Sequence, residues 1–120
     1  MDLDIVEYRI IDGQRVPVGV IEVTRLDMAM PPKPAYFRAW LDRINKRDDN
    51  AAALKQFAEM LCCDVYLVAA QHPGLNWFFV YNLSTGKGWI QMDQFKLMEW
   101  LQGLKAVKRF DPTYVPPWFY

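Results

Sequence analysis

Alternation of apolar and polar positions is strongest at the start of the chain, where residues 3–25 read as two strands joined around Asp12-Gly13-Gln14. By the two-residue side-chain period, Asp4, Val6, Tyr8 and Ile10 share one face of the first strand. Val16, Val18, Val20, Glu22 and Thr24 share one face of the second. Met30-Pro31-Pro32-Lys33-Pro34 is a stiff connector, and the period then changes. Phe37, Trp40, Leu41 and Ile44 fall at i, i+3, i+4, i+7, and Leu54, Phe57, Ala58 and Leu61 repeat the spacing, with Asp49 or Asn50 as a cap. Asp48-Asp49-Asn50 is either a break between two helices or a polar bend in one long helix. Residues 65–70 form an uninterrupted apolar run, the pattern of a central strand buried on both faces. His72-Pro73-Gly74 turns the chain into residues 77–81, and residues 84–88 turn it into 89–91, a second hairpin. Asp93 is placed to cap a last helix over 94–104, with Phe95, Leu97 or Met98, and Leu101 facing inward and Gly103 helping to stop it.

The predicted architecture is a single α+β (or α/β) domain over residues 1–120. A central mixed sheet of about five strands carries the N-terminal hairpin, a long or broken helix, the second hairpin and the C-terminal helix. Residues 105–120 hold three prolines and five aromatic side chains, Phe110, Tyr114, Trp118, Phe119 and Tyr120, which neither a helix nor a central strand explains. They are expected to form a dimer arm or a strap across the core. With 52% hydrophobic and 15% aromatic residues in 120, the chain has enough apolar surface for one packed interior and too much for a disordered segment. No apolar run approaches the roughly 20 residues of a membrane span. The acidic start, MDLDIVE, is unlike a signal peptide, so a cytoplasmic protein without a membrane partner is expected. Adjacent Cys62 and Cys63 with one histidine give no zinc spacing and read as reduced core thiols.

A formal net charge of zero argues against a strongly basic nucleic-acid binder. The charges are nevertheless sorted. Residues 1–12 carry Asp2, Asp4, Glu7 and Asp12 against Arg9, whereas residues 33–47 carry Lys33, Arg38, Arg43, Lys46 and Arg47 against Asp42. An acidic centre beside a basic helix suits a metal site that also holds a phosphate backbone; the other reading of the helix is a solvated face.

Asp4 and Glu22 lie in line with apolar faces, where a carboxylate costs several kcal/mol unless a cation, a donor network or an edge open to water offsets the burial. A three-residue loop pairing Ile11 with Arg15 puts Asp4 directly opposite Glu22, with Cβ atoms roughly 4.5–5.5 Å apart, close enough to share a divalent ion. A two-residue loop throws Asp4 to the other face. A metal site here therefore predicts an odd-numbered loop. The alternatives are an exposed end residue at Asp4 and an ion pair between Glu22 and Arg9 or Arg38.

Asp2-Leu3-Asp4-Ile5-Val6-Glu7-Tyr8 followed by Pro17-Val18-Gly19-Val20-Ile21-Glu22 resembles the hairpin of the PD-(D/E)XK, or restriction-endonuclease-like, superfamily, in particular small phage and bacterial proteins with "D-x-D-x-x-E-Y" and then "P-V-x-x-I-E". The resemblance covers about residues 2–83. It implies Asp4 and Glu22 as ligands of Mg²⁺ or Mn²⁺, the Val23 carbonyl as a third, and phosphodiester hydrolysis on nucleic acid; Asp2 reads either as an accessory ligand or as part of a disordered terminus. The family's Glu-x-Lys is here Glu22-Val23-Thr24, and the helix and strand that usually precede the Asp strand have no counterpart. Thr24 can orient a water but brings no positive charge. Either Lys33 or Arg38 reaches in, or the site is degenerate and the fold serves for binding. Arg25 is a poor substitute because alternation points it away. The rival expectation is a non-enzymatic homodimeric interaction protein of phage or mobile-element origin; a third is a small-ligand pocket lined by Trp and Tyr. His72 reads as a solvent-exposed turn residue, and residues 84–88 lie between strands, as a hairpin turn rather than a phosphate loop. The aromatics of residues 77–81 offer bases a stacking surface, half of it needed as core.

Overall fold

Asp12 and Gly13 take φ values of 51° and 77°, so the first hairpin closes through a two-residue turn. Aspartate tolerates this left-handed conformation and glycine adopts it without steric cost. In the computed structural model, which describes residues 5–47 and 50–105 (backbone only at 45–47 and 50), the turn joins β1 (Ile5–Ile11) to β2 (Gln14–Leu26). Ile11 pairs with Gln14, and the odd-numbered loop expected above is not formed. A bulge changes the count further along. Glu7 pairs with Gly19 but Tyr8 with Pro17, leaving Val18 as the extra residue. Pro17 lacks an N–H and precedes the pairing of β2 with its second neighbour, so a bulge is tolerated there. By Ile5↔Ile21 the register is the one a three-residue loop would have produced.

The bulge also splits a predicted face. Val18 and Val20, two residues apart, pack on opposite sides of the sheet, Val18 with Val68 and Val80, Val20 with Val65 and Leu67. The three valines and two polar residues expected on one face of β2 are divided at the extra residue.

The chain continues through α1 (Pro34–Arg47), α2 (Asn50–Met60), β3 (Asp64–Gln71), β4 (Phe78–Asn82), β5 (Lys87–Met92) and α3 (Gln94–Gly103). The five strands form one sheet in chain order, antiparallel except for β2 and β3, which run parallel across the helical crossover. This is the expected α+β fold. Two separate helices stand on either side of residues 48–49, which lie outside the described residues. Ala51, Leu54 and Ala58 of α2 cover Val20, Val65 and Leu67, while Phe37 of α1 packs on Ala69, Trp77 and Phe79. On the opposite face α3 lays Leu97, Trp100 and Leu101, with Leu104 beyond its end, against Val18, Ile21, Val68 and Val80. Strand β3 is therefore covered on both sides, as its apolar run predicts.

Asp93 caps α3 by accepting a hydrogen bond from Lys96 N at 2.8 Å. The inward stripe, however, is Leu97, Trp100, Leu101 and Leu104; Phe95 and Met98 are 83% and 52% exposed. Apolar residues occupy both frames of this helix, so periodicity alone does not choose between them. The reading of the tail as an arm or strap falls, from residue 106 on, outside the described residues. Among the described residues no helix is long and apolar enough to cross a membrane.

Cys62 and Cys63 are free and buried, as expected. Burial, with smaller contributions from Asp64 and Cys62, pushes the Cys63 thiol from 9.0 to about 12. Burial, Asp64 and Cys63 push the Tyr66 phenol from 10.0 to about 12. Both groups are held neutral by the fold, so their contribution to stability is complete below the unfolded values. It is lost as pH rises toward the folded ones, because the unfolded chain releases these protons first. Equilibrium unfolding in urea should therefore show stability falling between pH 9 and 12, and Cys63→Ala should flatten the first part of that fall.

Candidate functional site

Glu22, Val23 and Thr24 lie on β2 just past the last described β1 pair, opposite Leu67, Val68 and Ala69 of parallel β3. The register with β3 is regular here, so Glu22 and Thr24 share the face of Val20, toward the helical layer of α1 and α2, while Val23 and Arg25 point the other way. Glu22 and Thr24 are half-buried, Val23 is exposed, and the Glu22 Oε2 atom is shielded from solvent. A shielded carboxylate oxygen on a face lined by Leu67 and Ala69 is the kind of group that a cation or a set of donors must stabilise. Asp4 and Asp2, the other acids of the predicted centre, lie outside the described residues.

The candidate bases are distributed differently from the expectation. Arg38 lines a cleft of about 460 Å³ between the start of α1 and the β5 edge, together with Pro32, Phe37, Phe79, Trp89 and Gln91. Strand β5 is three strands from β2, about 14 Å at ordinary spacing. Arg38 thus borders β5, not Thr24, and does not stand in for the family's lysine. The Arg9 guanidinium bonds Glu7 at 2.8 Å and donates to the Tyr8 and Leu101 carbonyls. Lys33, Arg38 and Arg43 are exposed. Five residues of helix put Arg38 and Arg43 about 140° apart, on separate flanks of the buried stripe. The side chains of Lys46 and Arg47 lie outside the described residues.

The aromatics are spent on packing. Trp77, Phe78 and Phe79 are buried, and Trp89 is stacked against Phe37 at 4.4 Å, Trp40 at 5.1 Å and Tyr81 at 5.0 Å. Trp89 reaches that position as the extra residue of a second bulge, between the pairs Val80↔Ile90 and Tyr81↔Gly88. With these stacking partners, little of the indole surface is left to receive a base.

One cluster escapes the sequence reading. His72 Nδ1 lies 2.9 Å from Asp27 Oδ1, and Arg25 Nε 3.6 Å from the same oxygen, beside a cleft of about 420 Å³ that includes Gln71. The signal was present: Leu26 pairs with Gln71, so Asp27 and His72 follow the carboxyl ends of the two parallel strands, where open α/β sheets collect polar side chains. Seeing it requires pairing β2 with β3.

The donors described at the hairpin, the Glu22 carboxylate and the Val23 carbonyl, are all oxygen, the chemistry that Mg²⁺ and Mn²⁺ take. Among the described residues no group of three or more His, Cys, Asp or Glu side chains is placed to hold a metal ion. Mg²⁺ is ordinarily held by one or two carboxylates with water and substrate phosphate, so Glu22 and Val23 fit such an ion as part of its shell. No family model, curated protein or solved structure matches the chain. The class is defined by fold alone: an α+β domain in which an antiparallel hairpin is followed by a helical crossover to a parallel strand.

Proposed function

We propose that the chain is a restriction-endonuclease-like domain that binds a divalent metal ion and nucleic acid at the first hairpin, with phosphodiester hydrolysis weakened by Thr24 at the lysine position. The observation that carries this reading is the placement of Glu22 and Thr24, both half-buried, on one face of the second strand of a hairpin that pairs parallel with the strand after the crossover. Asp4 and Glu22 would supply the carboxylates and Val23 its carbonyl. A bound Mg²⁺ or Mn²⁺ neutralises charge on the phosphodiester and lowers the pKa of a coordinated water. Thr24 orients a water through its hydroxyl but leaves the developing negative charge without a cation. Lys33, Arg38 and Arg43, exposed on or just before α1, hold the phosphate backbone.

The test is cleavage of labelled single-stranded and duplex oligonucleotides with Mn²⁺. Thr24→Lys should raise the rate over wild type by at least about tenfold, in the range of a single positioned charge. Adding Glu22→Gln to that variant should abolish the gain. Cleavage that persists after Glu22→Gln, or no gain with Thr24→Lys in a folded protein that also takes up no Mn²⁺, contradicts the reading.

A further inference from the structure

Strand β1 reads Ile5-Val6-Glu7-Tyr8-Arg9-Ile10-Ile11 and is a pseudo-palindrome about Tyr8. Among the described residues it pairs only with β2, so it forms one edge of the sheet. It is not blunted in the usual way. It is seven residues long, carries no proline or lysine, and leaves Ile5, Tyr8, Ile10 and Ile11 exposed by 43%, 43%, 68% and 48%. An edge of that length and character is a template for another strand.

We infer that β1 pairs antiparallel with β1 of a second copy of the chain, about a two-fold axis through Tyr8, to form one continuous sheet of ten strands. The register follows from the sequence. A two-fold at Tyr8 sets Ile5 opposite Ile11, Val6 opposite Ile10 and Glu7 opposite Arg9 of the other copy, then repeats each pair in reverse. Every cross-strand pair is then apolar with apolar or acid with base. Shifting the axis to Glu7 or Arg9 sets a charge against its like and breaks both matches. Glu7 and Arg9 are already joined on one face of β1 at 2.8 Å, so the two copies would complete a ring of four alternating charges. The far edge lacks this property. Strand β5, Lys87-Gly88-Trp89-Ile90-Gln91-Met92, has no acidic residue to match Lys87, and its pairing is interrupted by the bulge at Trp89.

This surface is formed by residues 5–11 of β1. Its test is the mass of the full chain by light scattering and sedimentation. Wild type should run as a dimer, and Glu7→Arg or Arg9→Glu alone, each placing like charges opposite one another, should raise the dimer dissociation constant by at least about tenfold. The double exchange Glu7→Arg/Arg9→Glu restores the palindrome and should return the constant to near the wild-type value, which a merely misfolded single variant cannot explain. Tyr8→Cys should form a disulfide-linked dimer under mild oxidation that wild type, with its buried thiols, does not. A single-chain mass at about 100 µM, or a dimer indifferent to the charge exchange and to Tyr8→Cys, overturns the proposal.

Discussion

Replacing Phe37 by alanine is expected to lower the unfolding free energy by about 3–5 kcal/mol, the usual cost of deleting a buried phenyl ring. Phe37 is 3% exposed and is the point at which α1 grips the sheet. Its ring lies 4.7 Å from Phe79 and 4.4 Å from Trp89, centroid to centroid, with Tyr36 and Trp40 completing the cluster. Removing it leaves a cavity under a helix that starts at Pro34, directly after Pro31-Pro32-Lys33, a connector with little freedom to let α1 settle inward. Urea unfolding followed by tryptophan fluorescence measures the loss. A change below about 1 kcal/mol would mean that α1 is not docked on β4 and β5 as described.

Gly88→Ala should be nearly as damaging, and for a different reason. Gly88 has φ of 135°, and a Cβ built there would stand 2.6 Å from the Val80 carbonyl oxygen and 2.8 Å from Tyr81 Cα, both backbone atoms that cannot swing aside. The strained backbone costs about 1–3 kcal/mol, and relief of the contact requires β5 to separate from β4. Trp89 would then leave its stack between Tyr81 and the α1 aromatics. A stability loss of about 3 kcal/mol with a red-shifted tryptophan emission is the expected result; an unchanged protein would show that the bulge does not hold Trp89.

Most of the fold can be read from periodicity. The helical stripes of α1 and α2, the apolar run of β3 and the turn residues between β4 and β5 are long or unambiguous patterns, and each element forms where it points. Bulges are what the pattern conceals. Nothing in residues 14–26 marks Val18 as extra until Pro17 is placed opposite Tyr8, yet that one residue moves Val18 from the face of Val20 to the opposite one. The frame of α3 was ambiguous because its apolar residues satisfy two stripes. At the candidate site, the shared face of Glu22 and Thr24 follows from alternation alone, because β2 is regular beyond the bulge. The position of Arg38 and the contact between Asp27 and His72 do not, since both depend on which strands become neighbours across a crossover.

The proposed metal centre depends on Asp4 and Glu22 acting together, and calorimetric titration with Mn²⁺ addresses that directly. Wild type should give saturable heat that disappears in the folded Asp4→Ala/Glu22→Ala variant. Identical isotherms for the two proteins, silent or not, would contradict it.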